Sequence, residues 1–466
     1  MSIKNLIMPH VASVISSSKL KRIKRHAHEL RRRITGQTHT LDVFIKPDDP
    51  YSYLLVQVLD DLLNRFTVDI AIHTVMHLPE EAFPKREMWD MNALKDARWL
   101  AELYQLDFPA NEPSAKDPTP FLHALLAAET EKQATGTVLT VFRHYWSDSK
   151  DPDSPPWKNL PDTTANQIRL QTNERLLEKL GHYYSAMIYY AGEWYRGLDR
   201  LDHLESRLIT LNASREEKSQ IRYNKTRNTL FSASTPRNGV KKSDNRFEEP
   251  NHSVKTPGKR VEAPELSPST GNSLELFFSA RSPYSYLGLE QAAHLARTFA
   301  VPLTIKPVLP MVMRGMAVPH AKKMYIFSDT KREAETLGIP YGKVADPLGA
   351  GVERCYALYE MAQQEGKELA YLLSYARGVN AEGIRSETES GMKIIVKRAG
   401  LNWESARPLL LKAGDPDAQW RTWAQKNLDE LLELGIWGVP GFRYNDLSVW
   451  GQDRLCRIAE AIQANK

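Results

Sequence analysis

Residues Leu274–Ala300 read LELFFSARSPYSYLGLEQAAHLARTFA, and the fold of the chain is decided there. An apolar strand over Leu274–Phe278 runs into a short polar turn, and Ser282-Pro283-Tyr284-Ser285 opens a helix. Ser282 suits the N-cap and Pro283 the first helical position, where its missing N–H has no intrahelical partner. The turn sets a hydroxyl among the free N–H groups at the positive end of a helix. Such a place stabilises an anion, a thiolate included. Ser-Pro at a helix start is by itself only a helix start. Its weight comes from what recurs elsewhere.

From Leu41 the chain reads LDVFIKPDDPYSYLLVQVLDDLLNRFTVDIAI, which lies over LELFFSARSPYSYLGLEQAAHLARTFAVPLTI without a gap. Pro50 stands over Pro283, Tyr51 over Tyr284, Ser52 over Ser285, Phe66 over Phe299 and Ile72 over Ile305. Both stretches predict strand–turn–helix–strand, the start of a right-handed βαβ unit. The ends agree again: KLGHYYSAMIYYAGEWYRGLDRL from Lys179 lies over ELGIWGVPGFRYNDLSVWGQDRL from Glu433, with Gly181 over Gly435, Gly197 over Gly451 and Arg200 over Arg454. The chain therefore reads as an internal duplication.

Between its matching ends each copy is helical. Expected helices are Ala93–Tyr104, Pro118–Thr135 and Ala165–Leu180 in the first copy, with a polar, Pro-rich loop at Asp148–Pro161. In the second they are Lys322–Leu337, Val352–Gln364, Lys367–Arg377, Thr388–Ala399 and Pro416–Leu434. Residues 214–272, rich in Ser, Asn, Lys and Pro, lack apolar periodicity after Leu230 and read as a flexible linker. Expected domains are thus 1–37, a basic N-terminal segment; 38–213, the first copy; 214–272, the linker; and 273–466, the second copy.

Residues 19–33, KLKRIKRHAHELRRR, hold eight Lys/Arg against the single acid Glu29. Leu20, Ile23, Ala27, Leu30 and Ile34 recur at helical spacing, so this is a basic amphipathic helix. It lays its apolar stripe on the following domain or, alternatively, makes weak contact with an anionic surface, either membrane or nucleic acid. An organelle-targeting segment has a similar composition.

The formal charge, +5 from 62 basic and 57 acidic residues, is mild for 466 residues and gives no strong nucleic-acid signal. The two cysteines, Cys355 and Cys456, form no metal or redox spacing, which suits a reducing, cytoplasmic setting. No apolar run is long enough to span a bilayer. His73 with His77, and His26 with His28, lack a third ligand, so no metal is expected.

In the second copy Gly438-Val439-Pro440-Gly441 precedes a strand, a Tyr-Asn-Asp turn, a second strand to Trp450, and a helix opening at Gly451-Gln452-Asp453-Arg454. A proline there tolerates a cis bond, which leaves the preceding N–H and C=O free to pair with an extended ligand. Asp453 near a helix start is a favourably placed carboxylate or a counter-charge for an amino group. Together with Ser282-Pro283-Tyr284-Ser285, Lys323 with Asp329 and Arg332, and Gly338-Ile339-Pro340 leading to Asp346-Pro347-Leu348-Gly349, these motifs resemble the DsbA-like family. The branch they resemble holds 2-hydroxychromene-2-carboxylate isomerase and the kappa-class glutathione transferases.

The resemblance covers about Ser273–Ile462 well and Thr38–Leu208 weakly. It implies an α/β chain of two tandem thioredoxin-like domains, each with an inserted helical bundle, and glutathione as cofactor or substrate. Ser282 would hold the glutathione thiolate. Val439, ahead of a cis Pro440, would pair with the tripeptide, Gln452 and Asp453 would receive its γ-glutamyl end, and Lys323 would lie near a carboxylate. The family's asparagine before the insertion helix is missing from Arg314-Gly315-Met316-Ala317-Val318-Pro319. Met311, Met313, Met316 and Met324 read as core of the insertion or, alternatively, as a surface for a bulky aromatic substrate.

The first copy departs at the corner. Asp49 replaces Ser282, Ala186 replaces Pro440 and Leu198 replaces Gln452. A carboxylate there repels a thiolate, and a cis bond before Ala186 is costly. That half is expected to keep the fold without the chemistry, and either to pack on the second as in a pseudo-dimer or, alternatively, to present a new surface. The expected activity is a glutathione-dependent isomerase or transferase acting on a small electrophilic substrate, aromatic ones included. A non-catalytic scaffold is the alternative. Thiol–disulfide exchange fails for want of a cysteine at either corner.

Overall fold

The computed structural model describes residues 3–110, 116–131, 134–147, 163–227 and 273–465. They group into two compact units: Arg22–Lys225 with Pro319–Tyr325 (the first unit), and Met1–Lys21 with Thr226–Val318 and Ile326–Lys466 (the second).

The chain opens with α1 (Ile3–Ile15) and α2 (Ser18–Ile34). The first unit continues through β1 (His39–Ile45), α3 (Pro50–Gln57), α4 (Leu59–Arg65) and β2 (Val68–Thr74). Then come α5 (Arg86–Tyr104), α6 (Thr119–Ala128), α7 (Ala134–Tyr145) and α8 (Thr164–Lys179), and finally β3 (Met187–Tyr190), β4 (Glu193–Arg196) and α9 (Leu201–Thr210). The second unit runs β5 (Leu274–Phe278), α10 (Pro283–Phe299) and β6 (Leu303–Pro307). Its insertion holds α11 (His320–Leu337), α12 (Ala350–Ala357), α13 (Tyr359–Gln364), α14 (Glu368–Arg377), α15 (Glu389–Arg398), α16 (Trp403–Leu411) and α17 (Gln419–Glu433). It closes with β7 (Gly441–Tyr444), β8 (Leu447–Trp450) and α18 (Leu455–Ala464).

Each unit has one four-stranded mixed sheet, ordered β2-β1-β3-β4 and β6-β5-β7-β8. The registers coincide at the positions that align in sequence. Leu41 faces Ile70 as Leu274 faces Leu303, and Phe44 faces Met187 as Phe277 faces Gly441. Successive strand residues point to opposite faces. Accordingly Leu276 and Phe278 enter the main core, while Phe277 packs with Val308, Leu428 and Leu431 on the other face. Likewise Val43 and Ile45 take one face and Phe44 the other. Covering on both faces is why these strands read as near-continuous apolar runs.

Helix ends differ from expectation for local reasons. The expected helix over Pro118–Thr135 stops at Ala128, where Thr130 Oγ1 bonds back to Ala127 O at 2.8 Å, and a separate α7 follows. Helix α16 lies outside the expected set and holds Pro408 inside it; Asn402 caps it by accepting from Ser405 N–H at 3.0 Å.

The expected linker does not begin at residue 214. Arg215 N–H donates to Arg65 O at 2.8 Å, Arg222 and Tyr223 N–H both reach Glu205 at 3.0 Å, and Tyr223 OH donates to Asp61 at 3.0 Å, so this stretch belongs to the first unit. Residues 228–272 lie outside the described residues, as does the expected loop Asp148–Pro161. Among the described residues no helix is long and apolar enough to cross a membrane. In α2, contrary to the first expectation, the apolar stripe faces outward: Ile23, Leu30 and Ile34 are all exposed.

Candidate functional site

Strand β5 runs parallel to β6 and antiparallel to β7, so three connections meet at one edge of the second sheet: the turn after β5, the loop after β6, and the entry to β7. Strand β8, antiparallel to β7, delivers Gly451 and Gln452 to the same edge. In open α/β sheets ligands bind at the carboxyl ends of the parallel strands.

The turn after β5 is fixed by Ser285, whose buried Oγ accepts from Ser279 N–H at 3.3 Å. Ser282 caps α10 in an extended conformation, φ −84 and ψ 118, and its Oγ accepts from Ser285 N–H at 3.2 Å. Among the described residues no acceptor meets the Ser282 hydroxyl hydrogen. It can donate to a ligand at the positive end of the helix.

Opposite this corner, Val439-Pro440 is cis. Among the described residues the Val439 N–H and C=O make no hydrogen bond. Gly288, on the inner side of α10, lets the helix seat on the proline, since a Cβ there would lie 3.0 Å from Phe442 Cζ and 3.2 Å from Pro440 Cβ. Gly438 makes room for Trp450: a Cβ would lie 2.5 Å from its Cζ2.

Gly451 N–H donates to Pro440 O at 2.9 Å and holds the next turn to the loop. Gln452 is buried there, its Oε1 accepting from Gln291 Nε2 at 2.6 Å and its Nε2 donating to Asp453 Oδ1. Asp453, which accepts that bond, is partly exposed.

The loop after β6 is pinned to the same edge. Val308 N–H donates to Phe278 O at 2.8 Å. Tyr356 OH donates to Val308 O at 2.6 Å and accepts from Ala280 N–H at 3.3 Å. Further along, Arg314 is half-buried, its Nε has no partner among the described residues, and burial pulls its pKa down despite the nearby Tyr356 hydroxyl. Met311, Met313 and Met316 are partly exposed, Met313 packing against the main core, and Met324 is exposed.

Lys323 follows this loop in the chain. It is exposed, and its segment belongs to the first unit, where Lys322 Nζ donates to Ala82 O at 2.7 Å and Tyr325 meets the His182 ring edge-on at 4.7 Å. Burial lowers the Lys322 ammonium to about 8. The neighbouring matches hold together differently. Tyr284 OH donates to the buried Asp329 at 2.7 Å, and Arg332 donates to the other oxygen at 2.5 Å, fastening the first turn of α10 to α11. The role of Tyr284 was missed in the sequence. Its signal was there, because Tyr51 OH bonds Asp96 at 2.8 Å and both residues align with Tyr284 and Asp329.

The first unit closes the equivalent corner on itself. Asp49 caps α3, accepting from Tyr51 and Ser52 N–H at 3.2 Å each, from Ser52 Oγ at 2.7 Å, and from Ser185 Oγ at 2.8 Å. Ser185 is the counterpart of Val439, so a side-chain bond crosses the place where the second unit is open. Burial pushes the Asp49 carboxyl up, against the pull of those hydroxyls. The following Ala186 adopts φ +53, and Gly197 N–H still reaches its carbonyl at 2.8 Å.

Both cysteines are free and buried, Cys456 in the first turn of α18 with its Sγ 3.9 Å from Asp453 O. Cys355 lies in α12, its thiol pushed up by burial, and Cys456 lies in α18. Neither can serve as an exposed thiolate.

Residues 273–463 match the family model of the DSBA-like thioredoxin domain. No curated protein matches the chain. Among solved structures, 2-hydroxychromene-2-carboxylate isomerase is 23% identical over 41% of this chain and 95% of its own, with a TM-score of 0.35. A Streptomyces coelicolor protein assigned as a DsbA oxidoreductase is 20% identical over 42% of this chain and 92% of its own, with a TM-score of 0.33.

Proposed function

We propose that the DsbA-like thioredoxin domain at residues 273–463 is a glutathione-dependent isomerase or transferase, and that the first unit is a copy of it that has lost the chemistry. One observation carries this reading. The second unit's corner is open, with a hydroxyl donor at Ser282 and an unpaired main-chain N–H and C=O at Val439, where the first unit joins Asp49 to Ser185. A tripeptide laid along Val439 would make a short antiparallel pair. Asp453 would take its amino group. Glutathione so bound supplies a thiol nucleophile for reversible addition to, or conjugation with, an electrophilic double bond.

The chain's own part is electrostatic. Ser282 donates its hydroxyl hydrogen to the sulfur, and the N-terminus of α10 favours the thiolate over the thiol. The partly exposed Met311, Met313 and Met316 offer an adaptable apolar wall for the second substrate. The half-buried guanidinium of Arg314 offers a charge for a carboxylate on it.

The test is isothermal titration of glutathione into the protein and into Ser282→Ala, following thiolate absorbance. Saturable binding with an acidified thiol in the wild type alone supports the reading. No binding at millimolar glutathione refutes it and favours a non-catalytic scaffold, a reading supported by the internal use of Gln452 and the absence of an asparagine at 314–319.

A further inference from the structure

Helix α2 is mounted the opposite way round from an ordinary surface helix, which turns its apolar stripe to the core. At about 100° per residue, Ile23, Ala27, Leu30 and Ile34 fall within an arc of about 60°. That arc faces solvent: Ile23, Leu30 and Ile34 are 64%, 61% and 76% exposed, and no α2 residue is buried. The polar side is the one held down. Arg25 makes a two-pronged pair with Glu193 at 2.5 and 2.7 Å, and the His28 ring covers Gly192, whose missing Cβ would lie 2.8 Å from Nε2.

Charge borders the stripe on both sides. Lys24 and Arg31 lie about 80–100° round on one flank, and Arg22 and Arg33 about as far on the other. All four are exposed. The one acid, Glu29, is taken by Arg32 at 2.8 Å and Arg33 at 2.6 Å. Among the described residues Arg22, Lys24 and Arg31 have no carboxylate partner.

We propose that α2 is an interfacial helix that lies on an anionic lipid bilayer. Ile23, Leu30 and Ile34 sink to the acyl boundary, and Arg22, Lys24, Arg31 and Arg33 meet the lipid phosphates. A nucleic acid would want the cations at the centre of the face, where here the apolar residues stand. The inference is independent of the activity proposed for the second unit. It gives that unit's chemistry a place at a membrane surface.

The experiment is flotation of the full chain with vesicles of phosphatidylcholine alone and of phosphatidylcholine with a third phosphatidylserine, at two salt concentrations. The chain is expected to float with the anionic vesicles only, and less at high salt. The triple variant Ile23→Ser, Leu30→Ser, Ile34→Ser should lower partitioning at least about 100-fold, given what burying three large aliphatic side chains is worth. Arg22→Gln, Lys24→Gln, Arg31→Gln should lower it about 100-fold as well, each cation near the surface being worth about a factor of five. All six side chains are exposed and, among the described residues, none is in an ion pair, and an unchanged melting curve checks that the variants are folded. The salt and lipid dependence of the wild type stands even without them. Failure to float with anionic vesicles, or unchanged flotation of the serine variant, overturns the proposal. So does binding of duplex RNA, or dimerisation through the stripe, in a chain that ignores vesicles.

Discussion

Replacing Asp49 by alanine should hurt this protein far more than replacing its counterpart Ser282. Asp49 accepts two N–H and two hydroxyl groups in a buried corner, whereas Ser282 accepts one N–H at a partly exposed one. With a net worth of about 1 kcal/mol per hydrogen bond, Asp49→Ala should cost about 3–4 kcal/mol. Loss of the Ser282 cap should cost about 1 kcal/mol. A chain of two units does not unfold in two states, so one midpoint would blur them. Native-state hydrogen exchange reads each unit through its own peptides, 39–66 and 274–300. The expected result is a large loss of protection in the first peptide with Asp49→Ala, and a small loss confined to the second with Ser282→Ala. Equal effects would refute the idea that Asp49 closes its corner from within.

Three further outcomes follow from the same geometry. Because burial raises Asp49 above 3.8, the folded form keeps a proton that the unfolded chain releases. Stability of the first unit should therefore fall as pH rises from 3.8 through the folded value, and Asp49→Asn should flatten that part of the profile in denaturation midpoints measured against wild type. Gly438→Ala drives a methyl group to 2.5 Å from the Trp450 ring and should cost about 1–3 kcal/mol, with an altered near-ultraviolet circular dichroism spectrum; an unchanged spectrum and stability would mean the ring has room. Neither Cys355 nor Cys456 should react with an aromatic disulfide reagent faster than the chain unfolds, and prompt labelling of either would contradict their burial.

The frame was legible because two stretches of the sequence align and predict the same order of strand, turn, helix and strand. Apolar strands, a Pro at the first helical position and a Val-Pro before β7 fix local conformation through nearest neighbours, and the sheet registers follow them. The side-chain partners were not legible, because they lie far apart along the chain. Asp49 reads as a charge hostile to a thiolate; only Ser185, from another segment, shows that it is an internal acceptor. Gln452 matches a ligand motif, yet Gln291 has claimed its carbonyl. Lys323 matches too, but its segment follows Lys322 and Tyr325 into the first unit. For α2, periodicity shows that a stripe exists, while the side that docks is chosen by Glu193.

Two tyrosines of the insertion carry a last consequence. Tyr356 and Tyr359 donate to the carbonyls of Val308 and Ile305, at 2.6 Å each, on and just beyond the outermost strand of the second sheet. A bare outer strand is a template for another chain, and proteins that keep one must blunt it. Trimming the helical bundle to obtain a minimal domain would therefore do more than shorten the chain. It would strip the guard from β6, and the truncated sheet would be prone to grow by adding copies of itself.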